Sequence, residues 1–256
     1  MNKIAPIPAF KDNYIWAIYS VKDSEVVVVD PGDASAVLTF LTKNQLSLNA
    51  ILITHHHWDH TGGLATLIKH FPNIPIYGPT GSVKEITHPL SDGDSVHLEA
   101  QQLDLTVLAI PGHTLDHIAY WGQNLLFCGD TLFSAGSGRV FEGTIDQMFA
   151  SLNKLASLPD DTLVYCGHEY TLNNLHFTQM LEPDNALVTD YIKKTTQRLQ
   201  SGKPSLPSSI GVEKKINPFF RCESPKLQKI IQTKIQKVSI TPLECYAAIR
   251  KMKDEF

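Results

Sequence analysis

Apolar residues along this chain fall first in short bursts and later at helical spacing. Tyr14 to Tyr19 alternates bulky side chains, and Glu25 to Val29 is a β-branched run that stops at the turn signal Asp30-Pro31-Gly32; both read as strands. Asp33 is placed to cap a helix carrying Val37, Leu38 and Leu41. Ala50 to Ile53 reads as a short buried strand, and beyond Gly62-Gly63 the residues Leu64, Leu67 and Ile68 share one helix face. Further strands are expected at Ile74 to Tyr77, Ser95 to Leu98, Leu105 to Ile110, His117 to Trp121, Asn124 to Cys128 and Thr162 to Cys166, with a helix over Asp146 to Leu158. From about residue 171 the pattern changes. Leu187, Val188, Tyr191, Ile192 and Leu199 recur at helical spacing as far as Ser201-Gly202-Lys203-Pro204. A loop marked by Pro204, Pro207 and Gly211 follows, then helical stretches at Lys226 to Lys237 and Pro242 to Lys251. Strands interleaved with helices and then a helical tail describe an α/β core, residues 1–170, with a C-terminal helical subdomain, residues 171–256.

The bulk properties narrow the partners more than the chemistry. The 256 residues suffice for one large domain with an appendage, and 43% apolar with 19% charged residues is ordinary for a soluble globular protein. A net charge of −4 without a basic stripe argues against nucleic acid. A small anion is still admissible, because local cations decide its fate over a Debye length of roughly 8 Å. The first residues, Met1-Asn2-Lys3-Ile4-Ala5-Pro6, lack the apolar segment of a signal peptide, and no apolar run approaches the ~20 residues of a membrane span. A cytoplasmic monomer is therefore expected. Cys128, Cys166, Cys222 and Cys245 are scattered and form no Cys-x-x-Cys pair, which suits reduced thiols.

The chemistry concentrates at Thr54-His55-His56-His57-Trp58-Asp59-His60, which directly follows a predicted strand. Alternate positions of an extended loop point the same way, so His55 and His57 can converge on one ion while Asp59 and His60 turn toward a neighbouring position. Three more candidates follow predicted strands and sit beside glycine: His113 in Pro111-Gly112-His113-Thr114, Asp130 in Gly129-Asp130-Thr131, and His168 in Gly167-His168-Glu169. Taken singly, each is more often a turn residue than a ligand. A histidine run alone can also bind metal adventitiously. The ordered combination is hard to reach by chance, and imidazole with carboxylate suits zinc, iron or manganese alike. Cys128 and Cys166 are expected to pack behind these ligands, and Trp58 to pack and fix the loop.

With these residues in view, the chain resembles the metallo-β-lactamase superfamily. Within it, Thr54 to Gly63 (THHHWDHTGG), Gly129 to Phe133 (GDTLF), Cys166 to Tyr170 (CGHEY), the tail opening at Thr171-Leu172-Asn173-Asn174 and the closing Arg250-Lys251-Met252-Lys253-Asp254 are similar to the hydroxyacylglutathione hydrolases, the glyoxalase II enzymes. The resemblance implies an αββα sandwich at 1–170 followed by a helical substrate-binding domain at 171–256. It implies two divalent ions, zinc first with iron or manganese as alternatives. His55, His57 and His113 would hold one; Asp59, His60 and His168 would hold the other; Asp130 would bridge them. His56 is not counted as a ligand. Asp59 would also orient the nucleophilic hydroxide that the two ions share.

The implied substrate is S-D-lactoylglutathione or another S-(2-hydroxyacyl)glutathione, cleaved to D-lactate or its analogue and glutathione as the final step of methylglyoxal detoxification. Arg139, Phe141, Tyr170, Arg250 and Lys253 stand at the substrate-binding positions. Arg139 replaces a common lysine, and Phe141 lies where some members carry a tyrosine hydroxyl. On residues alone Arg250 and Lys253 read more readily as a solvated helix end. Two rival activities are a metallo-hydrolase of a lactone or other ester and a mononuclear iron persulfide dioxygenase; a non-catalytic metal-binding protein is the third reading.

Overall fold

The computed structural model describes residues 2–20, 24–81 and 83–256. It forms two compact units, Met1–Ala109 with Asp116–Gly129, and Ile110–Leu115 with Asp130–Phe256. The first unit holds strands β1 (Asn2–Ala9), β2 (Asn13–Ser20), β3 (Glu25–Val29), β4 (Ser47–Leu52), β5 (Ile76–Pro79) and β6 (His88–Leu90), hydrogen-bonded in that order. β2 is antiparallel to both β1 and β3, whereas β3 through β6 run parallel. Helix α1 (Ala34–Asn44) connects β3 to β4. The short α2 (Trp58–Thr61) and α3 (Leu64–His70) lie between β4 and β5. Asp33 caps α1 as its position suggests, accepting from the amides of Ser35 (2.8 Å) and Ala36 (3.3 Å).

Burial explains the unbroken valine run of β3. Val26 and Val28 pack with Val37, Leu41, Leu64 and Leu67, while Val27 and Val29, pointing the other way, are equally buried. The same unit carries β7 (Ser95–Leu98), β8 (Leu103–Ala109), β9 (Ile118–Gly122) and β10 (Leu125–Gly129), antiparallel in the order β10-β9-β8-β7. The Tyr120 hydroxyl of β9 donates to the Ile53 carbonyl just beyond β4 (2.8 Å), and burial pushes that phenol well above its usual pKa. β1 escapes the sequence pattern because Pro6 and Pro8 interrupt it; an outermost strand tolerates them, since it pairs on one side only.

The second unit holds the hairpin β11 (Leu132–Phe133) and β12 (Gly136–Ser137), helix α4 (Ile145–Ala156), β13 (Leu163–Cys166), α5 (Thr171–Leu181) and α6 (Ala186–Gln200). It ends with β14 (Ser208–Ser209), α7 (Ile210–Ile216), α8 (Pro225–Ile235) and α9 (Pro242–Glu255). Reciprocal capping boxes start α4 at Thr144 and α9 at Thr241. Ala135, Leu175, Val188 and Ile216 form one core cluster, and Tyr246 of α9 lies against Phe149 of α4 with ring centroids 5.6 Å apart. That packing groups residues 130–170 with the tail, so the compact units are cut differently from the sequence division at 170. The stretch 204–211, expected as loop, contains β14 and the start of α7. Within α7 the buried carboxylate of Glu213 accepts from Ser134 Oγ (2.9 Å), the Ala135 amide (2.7 Å), Asn217 Nδ2 (3.0 Å) and the Ser208 hydroxyl. Among the described residues no helix is long and apolar enough to cross a membrane.

Candidate metal centre

In the first unit the parallel strands β3 and β4 deliver Asp30 and the histidine run to the same sheet edge. Asp30 has a left-handed backbone (φ 54°), a conformation that aspartate tolerates better than most residues. Its carboxylate accepts from the Thr54 amide (2.8 Å) and the Thr54 hydroxyl (2.7 Å), and His60 Nδ1 lies 3.0 Å from Oδ2. A carboxylate can only accept here, so the His60 proton sits on Nδ1 and the lone pair on Nε2. Because the Thr54 hydroxyl spends its proton on Asp30, its oxygen accepts from His55 Nδ1 (3.0 Å), which leaves His55 the same tautomer. One acid thus orients two imidazoles. The rings of His57 and His60 lie 4.8 and 4.2 Å from that of His55. Asp59 Oδ2 accepts from Asn13 Nδ2 (2.9 Å) and lies 3.5 Å from His60 Nε2. His56 Nδ1 lies 3.0 Å from Asp116 Oδ1.

The second unit gathers His113, Asp130 and His168. His113 Nδ1 faces the Arg139 carbonyl at 2.8 Å, again assigning the lone pair to Nε2. The Nε2 atoms of His113 and His168 lie 3.7 and 3.2 Å from Asp130 Oδ2. Gly112 has φ 152°, and a Cβ there would come within 2.7 Å of the Met148 side chain, so the turn before His113 requires glycine. Gly129, at φ 46°, does the same before Asp130. Cys128 of the first unit and Cys166 of the second are both fully buried.

These donors suit a divalent cation. In both units an imidazole nitrogen carrying a lone pair faces a carboxylate oxygen, at 3.5 Å for His60 and Asp59 and 3.7 Å for His113 and Asp130. Two such atoms have no proton to share. Ligands at 2.0–2.2 Å from one tetrahedral ion lie about 3.4 Å apart, close to that spacing. An outer acceptor on Nδ1 is the usual companion of a histidine that ligates through Nε2. Asp30 also falls near His55 and His60, but its oxygens are engaged with Thr54 and Nδ1 of His60, which makes it an orienting group.

The proposed substrate-binding side chains all lie in the second unit. Tyr170 stacks on His168 (4.7 Å, 6°) and is edge-on to Phe133; Phe141 is 63% exposed and edge-on to His113 (5.2 Å). Arg139 is exposed, its Nε 3.3 Å from Asp254 Oδ1. Arg250 is buried: it donates to the Ser137 carbonyl (2.6 Å) and to Asp254 (2.9 Å), and desolvation lowers its pKa. Lys253 donates to Asn173 Oδ1 and lies over the rings of Phe177 and Phe256. Desolvation, then the charges of Arg250 and Arg139, bring its pKa down to about 8. Arg139 and Arg250 thus share the one Asp254 carboxylate.

Sequence reasoning missed Asp30, Asn13 and His117: Asp30 reads as a turn residue, His117 as the start of a strand, and Asn13 falls outside every predicted element. His117 stacks on His55 (4.5 Å, 13°) and its Nδ1 lies 3.1 Å from the Ile118 carbonyl. A usable signal existed for Asp30, which ends the strand before the one that delivers the histidines. Trp58 departs from expectation: it is 68% exposed, edge-on to Phe10 at 5.0 Å.

Comparison with known proteins places both parts of the chain. Residues 11–168 match the family model described as metallo-beta-lactamase superfamily, and residues 169–256 that described as hydroxyacylglutathione hydrolase C-terminus. The chain is 48% identical over 257 residues to the hydroxyacylglutathione hydrolase of Nitrosomonas eutropha and 49% identical over 257 residues to that of Aliivibrio fischeri, covering 100% of each chain in both cases. Among solved structures it is similar to the B3 metallo-beta-lactamase BLEG-1 (TM-score 0.64, 27% identity, 86% of this chain and 99% of that one). It is also similar to ETHE1 from Myxococcus xanthus (TM-score 0.64, 25% identity, 99% and 98%).

Proposed function

Since the chain belongs to the hydroxyacylglutathione hydrolase family of the metallo-beta-lactamase superfamily, we propose that it hydrolyses S-D-lactoylglutathione and related S-(2-hydroxyacyl)glutathiones to the 2-hydroxy acid and glutathione, the closing step of methylglyoxal detoxification. The observation that carries this reading is the cation patch of Arg139, Arg250 and Lys253, of which Arg250 and Lys253 lie in the part of the chain specific to this family. Glutathione has two carboxylates, and a patch with one internal acid has positive charge to spare for them.

By the family pattern, His55, His57 and His113 would hold one divalent cation and Asp59, His60 and His168 the other, with Asp130 as the ligand they would share; zinc suits this set first, iron and manganese next. When bound, the cations supply a coordinated water acidic enough to act near neutral pH and polarise the thioester carbonyl. Asp59, steadied by Asn13, would orient the attacking water toward the carbonyl carbon. A C–O bond forms there, the C–S bond breaks, and the glutathione thiolate departs and takes up a proton. A thiolate leaves readily, so no strong general acid is required of the protein. Arg139 and Lys253 engage the glutathione carboxylates, Tyr170 and Phe141 flank the chain of the substrate, and Arg250 holds the Ser137–Gly138 backbone that leads into Arg139. The enzyme works as a monomer in the cytoplasm.

The test is elemental analysis of the purified protein together with loss of the thioester of S-D-lactoylglutathione. About two metal ions per chain and substantial turnover are expected. Full metal content with background thioesterase activity would overturn the reading.

A further inference from the structure

The tip of the β1–β2 hairpin and the metal-ligand loop meet through two contacts within the first unit. One is polar: Asn13, the first residue of β2, donates to the carboxylate of Asp59 (2.9 Å). The other is aromatic: Phe10, at the hairpin tip with φ 49°, lies edge-on to Trp58 with centroids 5.0 Å apart. Gly32 makes room for this meeting, since a Cβ there would run into the Asp59 carbonyl and come within 3.0 Å of the Phe10 ring. Trp58 sits between His57 and Asp59 in the chain and opens α2. Despite their mutual contact, Phe10 and Trp58 are 50% and 68% exposed. Two large aromatic rings held in water beside metal ligands form an apolar surface that a ligand can cover.

Resting on the thioesterase reading, we infer that Phe10 and Trp58 form an apolar wall for the acyl side chain of the substrate and set the preference for bulky 2-hydroxyacyl groups. The occupant follows from position. The scissile carbonyl must approach Asp59, whose carboxylate is the point at which Asn13 pins the hairpin. The substituent on the acyl carbon therefore lies within reach of the neighbouring rings. A phenyl or alkyl group gains contact there that a hydrogen does not, and a hydrophobic pocket discriminates between such groups by roughly 10- to 200-fold.

The experiment compares kcat/KM for S-mandeloylglutathione and S-glycoloylglutathione in the wild type, Trp58→Ala, Phe10→Ala and Trp58→Phe. Because each value is taken as a ratio of two substrates on the same preparation, partial loss of metal or of folded protein cancels. The mandeloyl-to-glycoloyl ratio is expected to fall about tenfold in Trp58→Ala, less in Phe10→Ala, and to return toward the wild-type value in Trp58→Phe. Ratios unchanged in both alanine variants would overturn the wall. A wild type that cleaves neither thioester would instead overturn the thioesterase reading, so the two failures are distinct.

Discussion

Replacing Asp30 by asparagine should strip the protein of metal without unfolding it. The side chain keeps its size, and asparagine tolerates the left-handed backbone at φ 54° as well as aspartate does. What changes is one oxygen. The carboxylate satisfies three donors: the Thr54 amide at 2.8 Å, the Thr54 hydroxyl at 2.7 Å and His60 Nδ1 at 3.0 Å. With the amide's oxygen kept on Thr54 N, its NH2 faces the other two, donor against donor. Relief requires His60 to move its proton to Nε2, where it can no longer ligate, and frees the Thr54 hydroxyl from its role toward His55. Loss of one outer partner lowers metal affinity by about 10- to 100-fold. Asp30 serves two ligands, so the upper end is expected: about 100-fold, or about 2.7 kcal/mol. Competition with a chromogenic chelator measures this directly, and the melting temperature of the metal-free protein serves as control. Metal affinity within threefold of the wild type, with a normal melt, would refute the tautomer argument.

Two further outcomes follow from the second unit. In the free enzyme the Lys253 ammonium, held down to about 8 by desolvation and by Arg250 and Arg139, loses its proton as pH rises, so kcat/KM should fall through about pH 8. Lys253→Arg should shift that limb to much higher pH, and a fall at the same pH in this variant would assign it elsewhere. Glu213→Ala orphans the buried donors of Ser134, Ala135, Ser208 and Asn217, costing about 3 kcal/mol or more. A melting temperature lower by roughly 6–12 °C checks it, and a shift under 2 °C, allowing for ~1 kcal/mol at most, would contradict it.

What the sequence disclosed and what it hid have the same cause. Elements that bury one face announce themselves: Val37 and Leu41 mark α1, and the valine run marks β3. Likewise every family ligand sits in a local motif, because a metal site needs several donors held by short loops at strand ends. Elements defined by their neighbours are silent. β1 is a strand only because β2 pairs with it, since Pro6 and Pro8 spoil its own pattern. α5 buries Asn174 and Thr178 beside Leu175 and Phe177, which dilutes its helical signature. The same holds at the candidate site. Asp30 is 24 residues from Thr54, and Asn13 is 46 from Asp59; neither pair is joined by a motif, only by the sheet. Candidate ligands can be read from the chain because each would contribute its own donor atom to an ion. The groups that fix a ligand's tautomer and orientation act through another residue, so their identity depends on where the fold brings two distant segments together. For this reason the chemistry of the centre is legible in residues 54–60, while the control of that chemistry appears only once β3 lies beside β4.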